Sequence, residues 1–267
     1  ALSALLGILI VFSFKSYNYV FLFSIIPYIL GFFLIATYPS YIDKSSTKEK
    51  LPQIKDFFSL FFLNVKKKEV QKAILNATSF DSLFSITKDY IQPILKMLAL
   101  SLPFFIGITE DIHREALVLG IVYFIIYLLS SFASKNAKVV KEKFRNIGSV
   151  LNISYLIGVA LIFLSGLFVV LNFSWISILI FLFIFCFHNL RRPFNIAFLS
   201  DYLDAELMAS GLSAESQTKS LLIFLISPIM GFLADKFGVG YAILIIAGFY
   251  MLIYLIVKIN FGEKNEN

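Results

Sequence analysis

One cysteine, Cys186, and two histidines, His113 and His188, are all that 267 residues contain of these types. A single thiol builds no disulfide framework and no thiol metal site. Charge is scarce as well: 15% of the residues are Asp, Glu, Lys or Arg, against about 25% in soluble domains. Neither G-x-x-x-x-G-K-[ST] nor G-x-G-x-x-G occurs, so the usual nucleotide-phosphate cradles are missing and no cofactor is expected. H-E-x-x-H and G-x-S-x-G are missing too, and the two histidines lie far apart in the chain. A membrane-embedded hydrolase or acyltransferase would need a nucleophile with its base, or a metal cluster, at membrane depth. The chain is therefore not expected to be an enzyme.

What is present is apolar length. Hydrophobic residues make up 59% of the chain, with a mean hydropathy of +0.85, more than one water-soluble core can hide. Uninterrupted spans run over 19–39, 116–135, 150–172 and 241–260, each close to the roughly 20 residues that a helix needs to cross a bilayer. Residues 1–13, 175–190 and 221–235 are shorter or flanked by polar residues, yet equally apolar. The fold class expected is an all-α polytopic membrane protein.

Basic residues gather in alternate connections. Eight lysines lie in 40–72, and Lys135, Lys138, Lys141, Lys143 and Arg145 lie in 135–148. Segment 191–219 carries Arg191, Arg192 and Lys219, and the tail carries Lys258 and Lys264. The connections between these hold only Lys15, then Lys96 and Arg114, then none, then Lys236. Basic loops stay in the cytoplasm, which places the rich set and the C-terminus inside. The net charge of +6 is then a property of cytoplasmic flanks. No basic face interleaved with stacking aromatics suggests a nucleic-acid partner.

Residues 69–108 must cross an odd number of times to keep that sidedness. At 100° per residue, Asp81, Ser85, Lys88 and Gln92 share one narrow arc, with Thr78, Ser82 and Asp89 beside it. Phe80, Leu83, Phe84, Thr87, Tyr90 and Ile91 take the other side. Charges there cost roughly 2.5–3.5 kcal/mol each at mid-bilayer and cannot face lipid. This amphipathic helix, expected to end near Pro93, either spans with its polar stripe on a wet cavity, leaving 94–115 as an outer loop, or lies on the inner surface while 94–108 crosses. The cavity-lining placement is preferred, because 94–108 is short and contains Pro103 and Gly107.

Two further features complete the pattern. Residues 1–40 and 224–260 share a plan of apolar half-helix, polar break and full span. Residues 41–68 read as a basic linker whose middle, Leu51 to Val65, suits an interfacial amphipathic helix.

Arg192-Pro193 through Asp201-Tyr202, then Ala209-Ser210-Gly211-Leu212-Ser213-Ala214-Glu215-Ser216-Gln217, then Pro228-x-x-Gly231-Phe232-Leu233-Ala234-Asp235-Lys236-Phe237-Gly238 resemble the tenth to twelfth helices of bacterial major facilitator superfamily transporters. Asp89-Tyr90-Ile91-Gln92-Pro93-Ile94-Leu95-Lys96 is similar to the outer end of that family's seventh helix. On this resemblance 1–13 is the end of the fifth helix, 19–39 the sixth, 41–68 the inter-half loop, 69–260 the C-terminal six-helix half and 261–267 a cytoplasmic tail. Ala1 opens inside an apolar run, so the chain is expected to be a fragment lacking helices one to four. The family's Gly- and Asp-containing loop after helix two would lie in that part. Its usual echo is reduced here to Ala133-Ser134-Lys135-Asn136-Ala137, without the glycines or the acid, and Gly231–Gly238 falls on the outer side.

The resemblance implies a monomeric secondary transporter in the inner or plasma membrane, moving a small-molecule substrate by alternating access. With no nucleotide element, a proton gradient is the expected energy source. A non-transporting sensor or scaffold on the same fold is the competing expectation.

Asp81 reads either as a carboxylate on the path, able to carry a proton or hold a cation, or as a fixed ion pair with Lys88 or with a residue of the missing half. Ser85, Lys88 and Gln92 would line the same path or bond to neighbouring helices. Ser213, Gln217, Ser220, Ser227 and Gly231 form a stripe around Phe224. Such stripes usually mark close helix packing, with substrate contact at Gln217 and Ser220 as the other reading. Arg191, Arg192, Asp201, Asp204 and Glu206, with Glu215, either close an inner gate through ion pairs or form a solvated flank. His188 and Cys186 read as packing residues, and His113 as part of a solvated outer turn. Tyr123 and Tyr127 share a face and point either inward or into aromatic packing.

Overall fold

A computed structural model describes residues 2–39, 68–101, 108, 110–142, 146–203 and 205–259. These form nine helices and no strand: α1 (Leu2–Phe14), α2 (Asn18–Ala36), α3 (Lys68–Lys88), α4 (Ile91–Ser101), α5 (Asp111–Glu142), α6 (Ile147–Val170), α7 (Ser174–Ser200), α8 (Ala205–Phe237) and α9 (Val239–Val257). Six of them, α2 and α5 to α9, are long and apolar enough to cross a membrane. The protein is an all-α polytopic membrane protein. The linker 41–67 and the tail 261–267 lie outside the described residues, as do Pro103 and Gly107.

α3 occupies the middle of the bundle and touches α6, α7, α8 and α9. Its buried residues include Phe80, Leu83, Phe84 and Thr87 from the expected apolar face, but also Asn76, Thr78, Ser79 and Ser82. The polar stripe, Asp81, Ser85 and Lys88, is the half-buried side. At about 1.5 Å per residue, 21 residues reach about 31 Å, a length comparable to a bilayer's hydrocarbon core. Its packing against four helices accords with the cavity-lining placement.

α3 stops at Lys88, earlier than Pro93. The chain turns through Asp89 and Tyr90, held by Tyr90 N to Thr87 O at 3.1 Å and Gln92 N to Asp89 O at 3.4 Å. Pro93 falls in the first turn of α4, where its missing N–H costs no intrahelical bond. Residues 94–101 are therefore helical, packed on α5 and α7 through α4, and not part of an outer loop. α7 likewise runs through Arg191, Arg192 and Pro193 to Ser200, and α8 begins at Ala205. The basic segment 191–219 is helix on both sides of a short joint, not a connection.

α6 and α9 approach closely through two glycines. A Cβ on Gly166 would stand 3.0 Å from the Gly240 carbonyl oxygen, and one on Gly240 would stand 2.9 Å from the Val170 backbone nitrogen. Gly238, at φ 90°, makes the sharp α8–α9 joint in the left-handed region that favours glycine. α1 packs on α5, and α2 packs on α1. Large apolar side chains such as Phe132, Phe183 and Leu255 cover the outside of the bundle, as lipid requires.

Candidate functional site

Asp81 faces α7 and not Lys88. Its Oδ1 lies 3.3 Å from His188 Nε2, with the two side chains 15% and 20% exposed. The His188 ring stacks on Phe84, at 4.0 Å between centroids and 15° between planes. The imidazole is thus held edge-on to the carboxylate by an aromatic shelf one turn further along α3. His188 is a partner as well as a packing residue. Spacing along one helix cannot reveal a contact between two, so nothing in the sequence paired these residues.

One turn beyond His188, Arg191 is buried, at 3% exposure. Its Nε donates to Ser154 Oγ at 3.0 Å and its Nη2 to Asn76 Oδ1 at 2.5 Å. The guanidinium lies over the Phe80 ring, 4.4 Å from the centroid. Asn76 Nδ2 donates to Val257 O at 3.3 Å. Asn152 closes the network on the segment just past α9: its Oδ1 accepts from Ile259 N at 3.0 Å and its Nδ2 donates to Ile259 O at 2.8 Å. Higher up, Ser82 and Tyr250 share a hydroxyl bond of 2.7 Å, and Tyr155 donates to Tyr250 O at 3.1 Å. A polar spine thus joins α3, α6, α7 and α9, as expected where lipid offers no partners. Asn152, set inside the apolar span 150–172, is a polar residue of that kind in the sequence.

Arg191 is not a solvated flank. Glu215 and Lys219 of α8 contribute their charges to the same region. Two buried polar atoms face it without a hydrogen bond, Arg191 Nη1 and Glu215 Oε2. Arg192 and Asp201 are exposed, and Asp204 lies outside the described residues. Among the described residues no ion pair joins Arg191, Arg192, Asp201 or Glu215 to an opposite charge.

The rest of the polar arc of α3 points elsewhere. Lys88, Asp89 and Gln92 line a cleft of about 450 Å³ between the α3–α4 break, α1 and α5, with Tyr123 and Tyr127 on its wall. Ser85 opens with Asp89 into a second cleft of about 340 Å³, bordered by Ile223 and Ser227 of α8. The four residues therefore divide among three places. Ser213, Gln217 and Ser220 are exposed on α8. Ser220 Oγ bonds only its own helix, donating to Ser216 O at 3.0 Å. His113 is in the first turn of α5 and not in a solvated turn. It stacks on Phe12 at 4.3 Å, with Nε2 3.6 Å from Glu110.

Lys15, in the α1–α2 break at φ 53°, bonds Glu110 just ahead of α5. That donor and its charge hold the Glu110 carboxyl below its ordinary range. Tyr17 in the same break is pushed up, by burial first and then by the Glu115 charge.

Among the described residues no group of three or more His, Cys, Asp or Glu side chains could hold a metal ion. Chemically, the arrangement can move a proton between a carboxylate and an imidazole, re-pair a guanidinium with a carboxylate, and receive a small solute in the clefts above. Comparison of the chain with protein-family models, with curated proteins and with solved structures finds no match.

Proposed function

We propose that this protein is a secondary active transporter of a small solute, of the major facilitator type, working by alternating access and driven by protons. It would act as a monomer in the inner or plasma membrane, C-terminus cytoplasmic, without enzymatic activity. The observation that carries this reading is the Asp81–His188 pair, held inside a helical bundle beside Arg191.

Asp81 lies thirteen residues beyond Lys68, about 20 Å along a helix of about 31 Å. An ionisable pair at that depth has no packing use that apolar residues would not serve better, and such groups mark ion and substrate pathways. A proton arriving at the pair raises the charge of this region by one. Arg191 and Glu215 feel that change from α7 and α8 and have spare hydrogen-bonding atoms with which to respond. Re-pairing of Arg191 with Glu215 would draw α8 toward α7, a discrete rearrangement suited to alternating access. Asp81 and His188 are the proton-carrying residues in this scheme. Arg191 and Glu215 form the inner contact that opens and closes, and Ser85, Lys88 and Gln92 border the solute path.

The test is reconstitution of the full-length protein in liposomes with a trapped pH-sensitive dye and a panel of solutes. At least one solute should drive proton movement, and a protonophore should collapse its accumulation. Asp81→Asn should lower gradient-driven accumulation by at least ten-fold while sparing solute exchange at equilibrium. Accumulation with unaltered pH dependence in Asp81→Asn would rule out the proton role of this residue.

A further inference from the structure

The charged groups around the 450 Å³ cleft are unevenly matched. Lys15 bonds Glu110, Lys96 lies 3.2 Å from Glu115, and Arg114 lies 3.8 Å from Asp111. Lys88 and Asp89, adjacent in the chain and both on the wall of the cleft, enter no ion pair among the described residues. Two opposite charges that could have met each other or a neighbour instead border one cavity.

The helix break reinforces this. Lys88 ends α3 and Asp89 begins the turn, so the negative end of the α3 dipole and the positive start of α4 fall within a few residues. Interrupted helices present their ends to charged ligand groups in this way. Val11 of α1, Tyr123 of α5 and Phe185 of α7 supply apolar surface opposite. The volume lies in the roughly 300–1,000 Å³ range of small-molecule sites.

We infer that the cleft at the α3–α4 break binds a zwitterionic solute with an apolar body. Its ammonium sits against Asp89 and the C-terminal end of α3. Its carboxylate sits against Lys88, with Gln92 donating a further hydrogen bond, and the apolar part lies on Tyr123 and Phe185. A ligand carrying both charges satisfies both partners at once, whereas a cation leaves the half-buried Lys88 unpaired and an anion leaves the exposed Asp89 without its partner, the first being the costlier arrangement. This inference rests on the transport reading for its physiological meaning, but binding can be measured without transport.

The experiment uses full-length protein in nanodiscs and three probes that share one apolar group: L-phenylalanine, its cationic amide, and the anionic N-acetyl derivative. Isothermal titration should give at least ten-fold tighter binding for the zwitterion than for either relative. Lys88→Gln should abolish its advantage over the amide, and Asp89→Asn its advantage over the N-acetyl compound. Equal affinity for the three probes, no binding of any, or an unchanged ranking in both variants would overturn the inference. Solute-driven proton flux without this charge selectivity would leave the transport reading standing and remove only this one. Selective binding without flux would do the reverse.

Discussion

α2 and α3 are near opposites, and their fates are the reverse of what a soluble protein would show. α2 has no charged residue, and none of its nineteen residues is buried. α3 carries Lys68, Glu69, Lys72, Asp81 and Lys88, yet most of its residues are buried and it packs against α6, α7, α8 and α9. In water the apolar helix would take the centre. In lipid, apolar side chains are already solvated, whereas every polar group needs a protein partner. Polarity therefore favours an internal place for α3, whereas apolar helices such as α6 and α9 can pack inside or face lipid. α3 is internal because Asn76, Ser82 and Asp81 find partners on α6, α7 and α9 and could find none outside.

The most demanding test of this contrast is Arg191→Ala beside Phe32→Ala. The first removes two hydrogen bonds from a charged donor and the contact over Phe80, and should lower stability by about 3 kcal/mol. The second trims a side chain of α2 that is 70% exposed and should stay within about 0.5 kcal/mol. Unfolding of both variants by steric trapping in bicelles would measure the difference, and equal losses would break the comparison.

Gly166→Leu comes next. It pushes a side chain into the Gly240 carbonyl and Ile243 and should cost about 2 kcal/mol by overpacking. The same substitution at Gly31 of α2, where nothing lies within 4 Å, should leave the unfolding midpoint unchanged.

The smallest effect concerns how α1 and α2 are tied to the bundle. The Glu110 carboxyl is held down by Lys15, so its contribution is present above the ordinary Glu value of 4.5. It is lost as pH falls through the lower folded value. The distance between spin labels attached at residues 9 and 121 should therefore lengthen only at pH below that range. In Glu110→Gln it should become independent of acid, and persistence of the acid response there would assign it to another group.

Much of the fold could be read from the amino acids alone, for a reason that holds in any bilayer. Crossing it needs a run of apolar residues, and α2, α6 and α9 match the spans 19–39, 150–172 and 241–260 within a few residues. The arc of Asp81, Ser85 and Lys88 was legible too, since side chains of one helix keep their angular spacing wherever the helix goes. Reading failed where a helix is longer than its apolar part. α7 continues through Arg191 and α8 begins well before 221, because a hydropathy window stops at a charge that Asn76 and Ser154 have in fact satisfied. It failed again at Asp89, where a helix broken in mid-course keeps the same period on both sides.

Span, helix class and the polar side of α3 therefore followed from composition and period, which are properties of one segment against its solvent. The pairing of Asp81 with His188, the burial of Arg191 and the isolation of Lys88 and Asp89 were decided only when helices far apart in the chain packed together. A hydrogen bond is satisfied by whichever atom stands about 3 Å away, and that distance is set by tertiary packing.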